Sequence, residues 1–505
     1  MAEYLSPGVF VEELSSGIKP IEGVGTSVGA FVGHAEKGPV GKAVAINNFG
    51  SFLRTFGGFT PLGFLAYAVR AFFDEGGTSC YVVRTCQHDV AGKPLAVASK
   101  KEFANASASD TVTISASSPG SWGDDLSITI EHAAGAPADE FTIVVLESGS
   151  QRETIEAVSI LPASSRYVVS AVENESAAIR VTDLGLASRP ATATAVPLTG
   201  GTDALDSALS PGDYVGVDGS RIGLHAFDEV DAINIVAVPE TVDRDVHVGG
   251  MAYCENRGDC FYVADSEQGI ETADDVLNYK LAQGSFAGGN ALNSKYGALY
   301  TPWIEVSDQL TGGRKTIPPS GAVAGRYAGT DATRGVHKAA AGTTDGRMAS
   351  VLDVDVRFIA ADQEKLNPKG INVIRRFEGV GNVIWGARTV SSDSEWRYVN
   401  VRRLFLFLEE SIEEATTWVV FEPNGPDLWK SLVRNVSAFL RLQWRDGALV
   451  GATEEQAFYV KCDEETNPQE VIDAGQVITE IGVAPSKPAE FVIFRIRQFV
   501  ASEAS

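Results

Sequence analysis

The residues best equipped for covalent chemistry are Ser320, Asp331 and His337. A serine, an acid and a histidine are the parts of a hydrolytic triad, in which the histidine takes the hydroxyl proton and the carboxylate orients the histidine. Here the serine stands in Pro318-Pro319-Ser320-Gly321, beside a helix start and without the Gly-x-Ser-x-Gly of a nucleophile elbow. Gly23, Gly25 and Gly29 flank the apolar run Thr26–Gly33, but their spacing is not Gly-x-Gly-x-x-Gly and no helix follows directly. No phosphate-cradling P-loop pattern occurs. Cys80 and Cys86, and Cys254 and Cys260, form two close pairs, neither spaced as Cys-x-x-Cys, and Cys462 stands alone. Buried or free thiols in a reducing cytosol are expected, not a metal site or a disulfide framework. The expectation is a non-enzyme with no catalytic residue, no cofactor and no metal.

Charge carries a second kind of chemistry. The 505 residues bear a formal net charge of −25, which argues against nucleic acid and against anionic membrane surfaces as partners. Against that acidic background, PDLWKSLVRNVSAFLRLQWRD reads as a helix from Pro426 to about Asp446. At ~100° per residue, Lys430, Arg434, Arg441 and Arg445 fall within roughly 60° of one another. Trp429, Leu432, Val436, Phe439 and Leu440 lie opposite, and no acid is interleaved in the stripe. An amphipathic helix with a solvated basic face is the plain alternative.

The elements that must position these residues are legible in order. Residues 1–25 read as an extended arm, with Tyr4, Val9, Phe10 and Val11 as β-formers after or around Pro7-Gly8. Thr26–Gly33 reads as a buried strand, Leu62–Glu75 as a helix stopped by Gly76-Gly77, and Ser79–Thr85 as the next strand. From 87 to 196 the composition shifts to Ala, Ser, Thr, Val and Gly, with short alternating runs, among them Arg166–Ser170. That predicts an all-β insertion projecting outward. Ile233–Pro239 returns as a near-continuous apolar strand of a buried parallel sheet. Strand and helix patterns then alternate, giving an α/β (mixed α+β) core over 26–86 and 197–355. Residues 356–489 read as a C-terminal core domain, organised around Asn382–Asn424. In that stretch a helix is expected from Glu395 and a short strand at Trp418–Phe421. Residues 490–505 read as a C-terminal arm carrying Phe491, Ile493, Phe494, Ile496 and Phe499. No run is apolar enough to span a bilayer, and MAEYLSPGVFVEEL lacks the basic and hydrophobic regions of a signal peptide.

Several strings are distinctive as they stand. SPGVFVEE, VRAFFDEGGTSCYVVR, PGSWGDDLSI, PPSGAVAGRYAGTDATRGVHKAAAG, LNPKGINVI and WGARTVSSDSEWRYVNVRRLFLFLEESI resemble contractile tail sheath proteins. These blocks cover both ends and most of the chain outside the β insertion. The resemblance implies a structural subunit that polymerises with itself around a rigid inner tube and contracts to drive the tube through a target membrane. It implies baseplate and terminal cap proteins as further partners, no nucleic acid and no direct membrane insertion. It places a C-terminal-domain helix against the tube, so Lys430, Arg434, Arg441 and Arg445 are expected to contact it. Residues 4–13 and 491–499 are expected to add strands to sheets of neighbouring subunits. Assembly is expected in the cytoplasm of the producing cell, in a phage-tail-like particle that can be released. The sheath of an extracellular contractile injection system is favoured over that of a contractile phage tail. The rivals are an α/β enzyme and a carbohydrate-binding structural protein built around the insertion.

Overall fold

The computed structural model describes residues 20–491 except Leu62 and 206–208, together with Ile493 and Arg495. The chain divides into two compact units. One comprises residues 25–333 and 340–399; the other comprises residues 334–339 and the chain from Asn400 onward, with the segment preceding Gly25.

The first unit is built on apolar strands buried on both faces. Strands β1 (Gly29–Gly33), β2 (Val44–Ile46) and β3 (Cys80–Arg84) open it. After an insertion holding β4 to β10, it continues with β11 (Ile235–Ala237), β12 (Phe261–Asp265) and β13 (Gly297–Thr301). β14 (Ile304–Ser307), β15 (Arg314–Ile317) and β16 (Asp353–Val354) make a small antiparallel sheet. β17 (Ile371–Phe377) and β18 (Gly381–Ile384) complete an eight-stranded sheet of order β18-β17-β13-β12-β11-β1-β3-β2. Only its two edge strands run antiparallel to their neighbours. The apolar run around β11 is therefore central and parallel, as its lack of alternation predicts.

Helices α1 (Phe49–Phe56) and α2 (Leu65–Asp74) connect the first strands. α4 (Pro211–Val215), α5 (Arg244–Arg257), α6 (Ala273–Leu281), α7 (Ser320–Arg334), α8 (Gly342–Asp345) and α9 (Ala360–Leu366) connect the later ones. Two helices touch through glycine. A Cβ on Gly321, Gly325 or Gly329 of α7 would lie 2.4, 2.4 and 3.0 Å from the carbonyl oxygens of Ala68, Phe72 and Glu75 on and just after α2. These glycines sit at i, i+4 and i+8, one face of a helix, so the two backbones meet with no side chain between them.

The inserted segment has its own core. β4 (Lys100–Ala104), β5 (Asp110–Ala116) and β9 (Ile179–Asp183) form one antiparallel sheet. β6 (Leu126–Glu131), β7 (Glu140–Glu147), β8 (Ser150–Ser159) and β10 (Ala193–Pro197) form another, ordered β10-β6-β7-β8. Leu126, Ile128 and Ile130 alternate inward against Phe141, Ile143 and Val145. The strand expected at Arg166–Ser170 is instead the start of a helix, α3 (Val168–Glu175). Val168, Ala171 and Val172 are spaced for a helix face and bury there, which overrides the β preference of Val168-Val169.

The insertion is bolted to β3 by Arg84, whose side chain is almost fully buried. Its guanidinium donates to the carbonyls of Gly38 (3.1 Å) and Pro119 (2.7 Å) and to Asp203 Oδ1 (2.8 Å). Asp203 also accepts the Ser121 hydroxyl at 2.6 Å. Backbone bonds from Gln87 to Ala204 and from Lys100 to Thr199 join the segment's incoming and outgoing chains.

The second unit centres on α10 (Val399–Thr416) and α11 (Pro426–Arg445), with a short α12 (Glu454–Ala457) and the antiparallel pair β19 (Phe458–Lys461) and β20 (Glu480–Val483). Leu404 and Leu408 pack with Val436, Phe439 and Leu440. α10 begins at Val399, four residues after the expected start. Thr389 binds the carbonyls of Trp396 and Arg397, and Arg388 bridges Tyr398, so the chain up to Tyr398 stays out of the helix. Trp418–Phe421 is not a strand. Thr417–Val419 forms a 3-10 turn, and Trp418 and Val419 pack on Leu428, Trp429 and Leu432. Among the described residues no helix is long and apolar enough to cross a membrane.

Candidate assembly surface

The triad residues do not assemble. Ser320 and Asp331 lie on one helix, eleven residues and so about 16 Å apart, and His337 belongs to the other compact unit. Ser320 serves the fold: its backbone N–H donates to Asp265 Oδ1 at 2.8 Å, which caps α7. Asp265 ends β12 fully buried, and burial raises its carboxyl to about 7. His247 touches the same residue, Nε2 lying 2.9 Å from the Asp265 carbonyl, and burial lowers it to about 4. Opposite linkages follow. The raised Asp265 value removes stability as pH climbs from about 4 to about 7, while the lowered His247 value adds stability as pH climbs from about 4 to its ordinary 6.5. Asp265→Asn removes only the first. Its melting temperature relative to the parent chain is therefore expected to rise from pH 4 to 7 and level off above. A difference that stays flat across a pH series of thermal melts would rule this out.

The crevice where a doubly wound sheet takes its ligand is filled by the protein itself. The strand order reverses between β1 and β11, and Glu240 stands just beyond β11 at that point. Its carboxylate accepts N–H bonds from His34 (3.1 Å), Phe64 (2.9 Å) and Leu65 (2.7 Å). The α2 N-terminus thus holds a carboxylate where nucleotide enzymes hold a phosphate. All five cysteines are buried and free. Burial pushes the Cys80, Cys86 and Cys260 thiols up, away from the reactive thiolate form. Asp218, His225 and Asp228 bring ligand-type atoms within 4.8 Å of one another, yet His225 is bonded to Asp228 and Asp228 to Tyr253.

The basic stripe forms on α11. Leu428, Trp429, Leu432, Val436, Phe439 and Leu440 are buried, while Lys430, Arg434 and Arg445 are exposed. No acid is interleaved in the stripe, but one reaches Arg441 from a separate element. Glu454 on α12 grips it with two bonds of 2.7 Å. Each partner favours the other's charged form, and Arg445 also lowers the Glu454 pKa. The acid comes from thirteen residues away on a separate element, so helix periodicity alone could not reveal it. Arg434 donates to Ser431 Oγ at 3.2 Å.

The arm residues Tyr4, Val9, Phe10, Val11, Phe494, Ile496 and Phe499 lie outside the described residues. Phe491 and Ile493 are described; both are exposed and in neither helix nor strand, where a strand was expected. Close by in sequence, β19 and β20 make a sheet of only two strands. Tyr459 lies across Gly482, where a Cβ would come within 2.1 Å of the ring. A two-stranded ladder is marginal alone and offers two edges.

Comparison with known proteins follows from this geometry. Residues 222–390 match the phage tail sheath protein central domain, and residues 391–499 match the phage tail sheath C-terminal domain. The two matches adjoin and together span more than half of the chain. A tail sheath protein of Vibrio phage KVP40 is 30% identical over 186 residues, 37% of this chain and 27% of that protein. The chain therefore aligns with about a quarter of that relative's length. In fold, the chain resembles the contracted-state sheath complex of PVC, an extracellular contractile injection system. The TM-score is 0.61 at 22% identity, covering 99% of both chains. It also resembles the helical sheath of the anti-feeding prophage in its contracted state, with TM-score 0.59 at 24% identity, covering 98% of this chain and 99% of the other.

Proposed function

This chain belongs to the phage tail sheath family, and we propose that it is a structural subunit of a contractile sheath that polymerises around an inner tube and drives it through a target membrane. The adjoining matches to both sheath domains carry this reading. Its partners are further copies of itself, an inner tube protein, and baseplate and cap proteins. The full-length likeness to injection-system sheaths favours an extracellular injection system. The phage relative favours a second reading, the sheath of a contractile tail. Gene neighbours separate them: a capsid gene points to phage, an ATPase and a toxin to the injection system. The filled crevice at Glu240 supports a role in which the energy sits in the assembled state and no nucleotide is used.

Electron microscopy of the purified chain tests the function. Long hollow cylinders are expected, and monodisperse globules under all assembly conditions overturn it. We read residues 4–13 and 491–499 as strands that neighbours add to the β19–β20 edges. Several backbone hydrogen bonds of about 0.5–1.5 kcal/mol each hold such a joint. In the same micrographs, a chain lacking residues 1–19 should give no cylinders; cylinders of normal length dismiss the arm reading.

The α11 stripe is the inner-tube contact in this reading. Exposed pairs contribute only ~0–1 kcal/mol each and weaken as salt shortens the Debye length. Repeated along a tube, they hold an extended sheath in register and still release it. Lys430 and Arg434 are both exposed on the stripe and are the pair to reverse in charge. Lys430→Glu with Arg434→Glu should give a folded subunit that forms sheaths empty of tube. Loaded, extended particles in normal yield from that variant would show the stripe to be a solvated face.

A further inference from the structure

We propose that the loop between α10 and α11 is a knob that enters a hollow beside the β17–β18 hairpin of a second copy of this chain. The proposal rests on the sheath reading, which requires such copies to touch. Phe421 at the loop tip is 101% exposed and Val420 is 63% exposed. A pair of large apolar side chains standing free in water marks a contact surface. Phe421 also has φ +73°, a left-handed conformation that bulky residues adopt only when their surroundings impose it.

Those surroundings are present on both sides. Trp418 and Val419 are packed on Leu428, Trp429 and Leu432. Trp429 Nε1 donates to Asn424 Oδ1 at 2.9 Å, and Asn424 Nδ2 donates to the Gln476 carbonyl at 2.7 Å. The loop is pinned before and after the ring, so the ring is presented and not merely frayed. Its rim is acidic. Glu413, Glu414 and Glu422 are exposed next to it in sequence. The exposed run Asp463–Glu465 follows Cys462, which packs in the same cluster as Trp418. Lys430 lies beside this acidic run, and Lys461 is paired with Glu465.

The hollow beside the hairpin has the opposite character. It holds about 560 Å³ and is lined by Arg357, Arg376, Phe377, Glu378 and Val380. Arg357 and Arg376, with side chains 66% and 49% exposed, share a single oxygen of Asp353 at 2.9 and 2.8 Å. Arg375 lies over the Phe377 ring at 5.2 Å, and that ring packs on Trp385 at 4.5 Å. Two guanidiniums and one carboxylate, that of Glu378, thus line the hollow beside the Phe377 ring. An acid-rimmed aromatic knob and an arginine-lined aromatic hollow are complementary in charge. They are different patches of one chain, so the contact is heterologous and propagates from copy to copy into a ring or a filament.

The experiment is sedimentation of the purified full-length chain under assembly conditions, with circular dichroism and melting temperature to certify folding. Phe421→Ser and Arg376→Glu, each folded as the parent, should each lower the pelleted polymer at least tenfold. Combining Arg376→Glu with Glu414→Arg should restore polymer above the level of either single change. Parent-like pelleting of Phe421→Ser, or no restoration by the charge exchange, overturns the contact while the sheath reading stands. A parent chain that stays monomeric overturns both.

Discussion

Gly325→Val should abolish or cripple folding of the first unit, with a loss of at least ~3 kcal/mol wherever soluble protein is recovered. The reason is the absence of any space to yield. A Cβ at this position would sit 2.4 Å from the Phe72 carbonyl oxygen and 2.9 Å from both the Phe72 Cα and the Glu75 Cβ. Backbone on both sides means that relief requires moving a whole helix, whereas overpacking against side chains typically costs about 1–3 kcal/mol. Separation of α2 from α7 would also disturb Glu75, a buried carboxylate that accepts the Ser350 N–H at 2.7 Å and hydroxyl at 2.6 Å. Arg326 on α7 donates to the Glu75 carbonyl at 3.1 Å. Gly325→Ala should be intermediate. Soluble yield and thermal melts of the two variants check the series; a valine variant melting with the parent would mean that the helices do not meet here.

Arg84→Met should be the next most damaging change, and its effect should be local. It leaves the partly buried Asp203 without its cation and the Gly38 and Pro119 carbonyls without a donor. Removing one partner of a buried pair costs about 3–5 kcal/mol. Because Asp203 and Pro119 root the insertion, the loss should fall on the joint. Residues 87–100 and 199–204 should gain hydrogen exchange and protease cleavage, while the insertion's own core between its two sheets stays protected. Uniform loss of protection across the first unit would instead make Arg84 a general core residue. In the parent chain the same bonds mean that the boundary is not an open linker.

How much of this was legible in the sequence depends on how local each cause is. The parallel sheet was readable because burial on both faces leaves an unbroken apolar run, as in Ile233–Pro239. The stripe of α11 was readable because helical periodicity fixes which side chains share a face. Glu454 was not, because its approach to Arg441 depends on the turn between α11 and α12. The β-rich string at Trp418–Phe421 misled for a related reason. Strand propensity needs a partner edge, and here the first two residues found a helix surface instead. The glycine contact was hidden in plain view. Gly321, Gly325 and Gly329 each cost a helix about 1 kcal/mol, and three at four-residue spacing are a sign that something must press against that face. The Arg84 anchor joins residues more than a hundred positions apart, which no single-sequence pattern announces.

The root of the insertion has a bearing on how such a chain can diversify. Its incoming and outgoing strands lie one hydrogen bond apart, at Lys100 and Thr199, and the two sheath-domain matches begin only after it, at residues 222 and 391. A segment that leaves and re-enters a scaffold at one point can be lengthened, trimmed or exchanged without altering the path of the strands beneath. The scaffold then behaves as a socket. One lineage can keep the same eight-stranded sheet and fit it with different cassettes, and an engineer can do the same by splicing a foreign domain between those two residues.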